Sequence, residues 1–478
     1  MKQIYRYTLL LVVTTTFMMQ SCSKEYFDEL STNPNQVSKP TLAALLATST
    51  SKMGLNSFTV ASSIAPYVQY TANPSLNAAS DIYETIDFSG MWDALYFAMA
   101  DVNHLKIAAT EAGSSEYMGV ANVMLAYNLI LVNDLWGDAP FKEAFNPTNF
   151  TPKYDTQQAI YASTVSLIDE AIVQLAKTDA TVKLAATSDL IYGSSAATER
   201  ANWLKLAYAL KARLLNKVSK TTSYNAANVL AAVSSSFTSN AEDAGMATFL
   251  LRNNWATVAR NNASLTLGGW LSEQFIDHLN GTSYGILDPR IKKITDPTVT
   301  GTYIGTVNGA GNKGPGNNTV KDENYIAISS PWTGDISPLF IVTFAELKFI
   351  EAEAAFATDK SRSYNAYLAG IAANMDKLLV PAVEKTAYLA EPTVAVGSAA
   401  LTKELIFKEK YVATYLNSEA FNDVRRNDYN YTNFTFPVGS VLSNFIRRLD
   451  YPLTAERSKN GANVPAAVPR TTKLWWDQ

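Results

Sequence analysis

Trp203-Leu204-Lys205-Leu206-Ala207-Tyr208-Ala209-Leu210-Lys211-Ala212-Arg213 is the stretch on which the fold turns. With the residues that follow, it places Trp203, Leu206, Leu210, Leu214 and Val218 three or four positions apart, one apolar stripe along a helix. A helix with a single stripe must bury it against another element. The partner lies upstream, across a polar loop. There Ile160, Thr164, Ile168, Ile172 and Leu175 recur at the same spacing, behind Asp155 and Gln158, which read as a capping box.

Working outward, the stretch from Tyr117 to Trp136 is apolar nearly all round, as expected of a helix buried among others. Two more pairs follow: Ala345 to Phe356 with Tyr364 to Leu379, and Leu401 to Leu416 with the helix leading into Phe421. Ala, Tyr and Phe at the contacts suggest tetratricopeptide-like units, in which small residues let helices approach and rings fill the gaps. The repeats keep no strict period, so they read as a scaffold rather than a peptide-recognition array. Strand signals are sparse and predict only short hairpins. The fold class is all-α, mainly helical.

The amino terminus has the parts of an export signal: Lys2 and Arg6, an apolar core from Thr8 to Met19, then Gln20-Ser21-Cys22. The core is shorter than the roughly 20 apolar residues that span a bilayer. Cys22 is the only cysteine of the 478 residues and sits where a bacterial lipoprotein signal is cut and acylated. An unpaired thiol is a liability in an oxidising compartment, and lipidation removes it. Residues 1–21 are therefore expected to be a lipoprotein signal peptide and 22–40 a lipidated tether, through Leu30-Ser31-Thr32-Asn33-Pro34-Asn35 to a helix starting near Thr41. No second apolar stretch is expected to cross a membrane.

A formal charge of −4 and a pI near 5.5 argue against a nucleic-acid partner. Only His104 and His278 occur, far apart, which argues against a histidine zinc site or a local nucleophile pair. No cofactor is expected; a structural calcium would have to use loop carboxylates and carbonyls, since no EF-hand spacing is present. The 25 Tyr, 20 Phe and 8 Trp exceed what a core needs and suggest ring surfaces for sugars. From about 281 to 338 the texture turns to Gly, Asn, Pro and Thr, as in Asn308-Gly309-Ala310-Gly311-Asn312, and predicts a long structureless insert. Its glycine run lacks the Lys-Ser/Thr of a phosphate loop.

Taken in order, these motifs resemble the SusD/RagB family of outer-membrane nutrient-binding lipoproteins, in its SusD-like branch. The matching residues are Cys22 with its signal, Asn33-Pro34-Asn35, Trp92-Asp93-Ala94-Leu95-Tyr96, Leu135-Trp136-Gly137-Asp138-Ala139-Pro140, Trp203 to Arg213, and Ala345 to Glu353. Glu409-Lys410-Tyr411, Glu419 to Arg426, and Arg448-Leu449-Asp450-Tyr451-Pro452 with Glu456 and Asn460 complete the set. Asp450 stands where the family often has proline. The resemblance implies one SusD-like domain over 41–478 on tetratricopeptide-like pairs, with a ligand site built by the loops on one side. It also implies a SusC-like TonB-dependent outer-membrane barrel as partner, an oligosaccharide ligand, and a lipid-anchored location on the outer membrane facing the cell exterior.

Trp92, Tyr96, Trp136, Trp203 and Arg213 read as packing and bracing, and Arg425 and Arg426 as partners of Glu419 and Asp423 at helical reach. A sugar has an apolar C–H face and a hydroxyl rim, so its pocket needs an exposed ring platform with polar neighbours. Two segments have that composition: Tyr67, Gln69, Tyr70, Asn73 and Tyr83, and Tyr303, Asn318, Tyr325, Trp332 and Asp335. Trp255 and Trp270 are weaker candidates. The leading function is non-catalytic glycan capture feeding an importer. Peptide cargo is the alternative, and a surface glycoside hydrolase, which would need two carboxylates roughly 5–10 Å apart, has no motif in its favour.

Overall fold

The structure, a computed structural model, describes residues 40–193, 197–263, 269–313 and 322–478. Cys22 and the Asn33-Pro34-Asn35 motif lie outside the described residues, as does Asn318. Leu42–Gln478 form a compact unit, described here by itself.

Its helices are α1 (Leu42–Ile64), α2 (Ser89–Glu111), α3 (Ser115–Trp136), α4 (Gln157–Ala176), α5 (Glu199–Lys217) and α6 (Ala226–Ser234). Then follow α7 (Asn254–Ala263), α8 (Glu273–Asn280), α9 (Ile291–Ile294), α10 (Phe344–Ala355) and α11 (Lys360–Lys377). The last four are α12 (Ala382–Ala390), α13 (Gly397–Ala400), α14 (Lys403–Ala413) and α15 (Glu419–Arg426). The first six pack each on the next; α6 then meets α10, which pairs with α11 and touches α14. The stripe Trp203, Leu206, Leu210 and Leu214 is buried as its spacing predicts. Where α10 and α11 cross, a Cβ on Gly370 would come within 2.8 Å of the Phe349 ring. A small residue there lets the ring fill the gap.

Two local expectations are corrected. The N-cap of α4 is Thr156, whose hydroxyl accepts from Ala159 N, while Asp155 accepts from the Phe141 and Lys142 amides instead. Moreover, α3 and α4 are each long and apolar enough to cross a membrane. Within the protein, α3 is buried almost all round and α4 buries one stripe, Ile160, Thr164, Leu167, Ile168, Ala171 and Leu175, as a core helix does.

Buried ion pairs lock the helices together, and they join the motifs to one another. Arg213 of α5 grips Glu346 of α10 at 2.6 Å and donates to Ile341 O. Glu353 of α10 lies between Lys410 of α14 and Arg426 of α15, both at 2.8 Å. Asp423 holds the same two cations at 2.9 and 2.6 Å. Burial alone would raise the Glu353 carboxyl, but Arg426 and Lys410 outweigh it and pull it down to about 2. Arg426 thus pairs with Asp423 as its spacing suggests. Arg425 does not pair with Glu419: it donates to the Phe421, Asp134 and Arg447 carbonyls and to Asn422. Burial outweighs the nearby Asp134 and Asp477 charges and pushes Arg425 down to about 10.

Among the described residues, the strand ladder is a long-range pairing rather than a hairpin, with one local antiparallel bridge from Val307 to Gly311. Strand β1 (Ala244–Met246) runs antiparallel to β2 (Leu339–Val342), with Met246 opposite Leu339, and closes the base of the loop insert. The insert is not structureless. It contains α9, forms bridges Trp270 to Tyr325 and Ser272 to Thr306, and sends Ile291, Ile294 and Ile326 into the core.

Candidate functional site

The chain leaves α1 at Ile64 and turns inward at Pro66, wedging the first nominated segment between α8, α14 and residues 429–436. Tyr70 donates to Tyr411 O at 2.6 Å and its ring lies 4.8–5.4 Å from those of Tyr411, Phe275 and Tyr415. Tyr67 packs edge-on against Tyr83, which meets Phe436. Gln69 donates to Thr435 O at 2.7 Å. Tyr67, Gln69, Tyr70 and Tyr83 are at most 2% exposed, and burial raises all three phenols well above their ordinary range. The expectation of an exposed platform here is therefore corrected: these rings pack on one another, and Tyr70 also gains a backbone carbonyl. Much of the aromatic surplus belongs to this wedge.

Trp332 is also buried, edge-on to Phe340 at 5.0 Å, in a slot with Trp255, Tyr415 and Asn417 that admits water rather than a sugar ring. Trp255 and Trp270 are buried as well. Asp335 is exposed, but its carboxylate is engaged by Arg260 at 2.8 Å. His278 is a core residue, held by Lys408 O at 2.9 Å, and burial pushes it down to about 3.

The two nominated segments do meet, through backbone rather than rings. Asn308 donates to Thr71 O, Asn312 N to Pro74 O, and Ser272 N to Tyr70 O. Asp81 accepts from Asn73 N at 2.8 Å and Gly309 N at 3.3 Å, and its burial raises it to about 6. Gly309 (φ +84°) is required at this junction, since a Cβ would sit 2.0 Å from Val438 O.

Of the nominated rings, Tyr303 and Tyr325 remain accessible. Both are half-buried, and one rung aligns them: Asn324 N donates to Ile304 O at 2.7 Å and Ile304 N to the Asn324 side chain at 2.6 Å. The Asn324 amide also donates to Asp296 O, and Thr295 Oγ1 to Tyr325 O. Asp296 presents an exposed carboxylate, 3.4 Å from Ser329 Oγ. Burial raises both phenols; the Asp296 charge adds to each, while Lys292 acts against it at Tyr303. Lys292 pairs with Glu384 at 3.1 Å, and Val299, Ile304 and Ile328, within three residues of Asp296, Tyr303 and Tyr325 in the chain, are exposed. Two rings, a carboxylate and an apolar margin suit a ligand with a C–H face and hydroxyl donors. Asp296, Lys292 and Asn324 went unnoticed in the sequence, where only the turn-prone Asp296-Pro297 marks them. Among the described residues, no group of three or more His, Cys, Asp or Glu gathers as a metal site would require.

The family described as "Starch-binding associating with outer membrane" matches residues 34–452. The chain belongs to the SusD-like family. Solved structures agree in fold with this SusD-like protein. A SusD/RagB family protein of Bacteroides thetaiotaomicron is 21% identical, with 92% of this chain and 99% of that one covered and a TM-score of 0.72. A SusD homologue of Bacteroides fragilis is 20% identical, with 92% and 100% covered and a TM-score of 0.74. A chitin-binding SusD homologue of Flavobacterium johnsoniae is 18% identical, with 91% and 98% covered and a TM-score of 0.73. No curated protein matches the sequence.

Proposed function

We propose that this SusD-like protein is a lipid-anchored, non-catalytic glycan-binding protein of the outer membrane, facing the cell exterior and passing oligosaccharide to a SusC-like TonB-dependent barrel. Cys22 supplies the anchor in this reading, and residues 41–478 act as one ligand-binding domain. The family description and the chitin-binding relative support a carbohydrate ligand. The observation on which the reading rests is the patch of Tyr303 and Tyr325 with Asp296 near both, the two nominated rings left accessible on the loop face. A sugar ring packs its C–H face on a phenol while its hydroxyls donate to the carboxylate.

Calorimetric titration with chito- and malto-oligosaccharides tests it. Each of Tyr303→Ala and Tyr325→Ala is expected to weaken binding about ten-fold, the equivalent of about 1.4 kcal/mol. Unchanged affinity in both variants overturns the assignment of the patch.

A further inference from the structure

Three buried carboxyl groups gather where the segment joining α4 to α5 folds over the start of α3: Glu116, Asp189 and Glu199, at 5%, 5% and 1% exposure. Glu116 holds the first half of that segment. It accepts from Leu184 N at 2.9 Å and meets Lys183 at 3.1 Å and Arg200 at 3.9 Å, while the Tyr117 hydroxyl accepts from Ala185 N at 3.1 Å. Arg200 also donates to the Leu175 and Lys177 carbonyls. Both cations are thus engaged on Glu116 and on the end of α4.

Asp189 and Glu199 are left to each other. Asp189 Oδ1 accepts from Ile191 N at 2.8 Å and Tyr192 N at 3.1 Å, and Oδ2 from Trp203 Nε1 at 2.7 Å. Three donors converging on its two oxygens make Asp189 an acceptor. Glu199, the first residue of α5, lies within hydrogen-bond reach of the Asp189 side chain, yet its Oε1 is buried without a hydrogen-bond partner among the described residues. Buried polar atoms are nearly always bonded. Two charged carboxylates in this place would repel, whereas one proton between them turns the contact into a hydrogen bond with Glu199 as donor. Burial, then the Asp189 charge and hydrogen bond, then the Glu116 charge push Glu199 up to about 8.

We propose that Asp189 and Glu199 form a pH-sensitive clasp: one shared proton fixes the first turn of α5 to the segment before it, and loss of that proton releases the turn. Asp189 is tied by three donors, so Glu199 is the group that leaves, toward solvent beside exposed Ala197 and Thr198. The closed clasp holds its proton up to about pH 8, and a solvated glutamate only to about 4.5, so closure is strongest below 4.5 and is lost as pH rises through 8.

Hydrogen exchange on the full-length protein tests it at the Asn202 amide, which donates to Thr198 O across that first turn at 2.9 Å. Protection, corrected for intrinsic rate, is expected to fall between pH 5 and 8, by up to about ten-fold per pH unit, and to level off above. Glu199→Gln keeps a donor toward Asp189 but does not titrate, so its profile should be flat. A purely structural role for Glu199 would offset the two profiles without changing their slopes. The infrared band of a protonated carboxyl at pH 7 should also be weaker in Glu199→Gln than in the wild type, a difference that does not depend on exchange. Parallel profiles in the two proteins, or equal carboxyl bands, overturn the proposal.

Discussion

Glu353 lies in the helix scaffold between two buried cations, whereas Asp296 stands exposed on the loop face near two half-buried tyrosines. The same chemical group does opposite work in the two places. In the scaffold, Glu353 and Asp423 are spent on Lys410 and Arg426, and these pairs join α10, α14 and α15. On the loop face, the Asp296 backbone is held by Asn324 while its carboxylate reaches solvent. Rigid support beneath an exposed polar group is what a ligand site needs.

The comparison breaks most sharply at Glu353. Glu353→Ala leaves Lys410 and Arg426 with only Asp423 between them, and truncating one partner of a buried pair costs about 3–5 kcal/mol. A large fall in melting temperature is expected by calorimetry, with Asp296→Ala as the unaffected control. Equal melting curves would remove the distinction between the regions.

Trp332→Ala comes next. Emptying a buried aromatic position costs about 3–5 kcal/mol where the site does not collapse, and the adjoining slot leaves room for partial collapse toward the lower figure. Thermal unfolding should therefore shift while affinity at the Tyr303 patch is unchanged. Reduced affinity with an unshifted melting curve would return Trp332 to the role its loop context suggested.

These two positions show what was legible. Apolar periodicity predicted the helix pairs because burial of a stripe is a local property of the sequence. The charge pairing was only partly legible: Arg426 with Asp423 is three residues apart, but Arg213 with Glu346 spans 133 residues, and no local rule reaches that far. Ring exposure was least legible. Tyr70 and Tyr303 both occur in Asn- and Thr-containing loop sequence, and only the fold decides that one is buried in a wedge and the other stays half-buried at the edge of the core.

The regions also differ in their response to pH. Glu353 is held near 2, below its unfolded value, so its contribution is present above the unfolded value near pH 4.3–4.5 and is lost as pH falls toward 2. Asp81 is raised to about 6, above its unfolded value, so its contribution is greatest below pH 4 and is lost as pH rises through 6. Hydrogen-exchange protection at the Gly309 amide, corrected for intrinsic rate, should decline between pH 4 and 6 and level off above it. Asp81→Asn should flatten that profile. A junction that tightens across this window would reverse the sign assigned to Asp81.

The smallest stability effect, and the finest probe of the comparison, is Asp296→Asn. The side chain is exposed, so stability should move by less than about 0.5 kcal/mol. The amide keeps one acceptor oxygen but loses the charge that strengthens a hydrogen bond from a ligand hydroxyl, a difference of about 0.5–1.5 kcal/mol. Affinity should fall about three- to ten-fold, less than or equal to the loss from removing a ring. The Tyr303 and Tyr325 phenols should titrate lower, since the Asp296 charge that adds to the upward shift of both is gone. Ultraviolet titration reads this shift without any ligand. A ligand effect without the phenol shift would mean that Asp296 acts at a distance from the rings, and a phenol shift without a ligand effect would place the glycan elsewhere on the loop face.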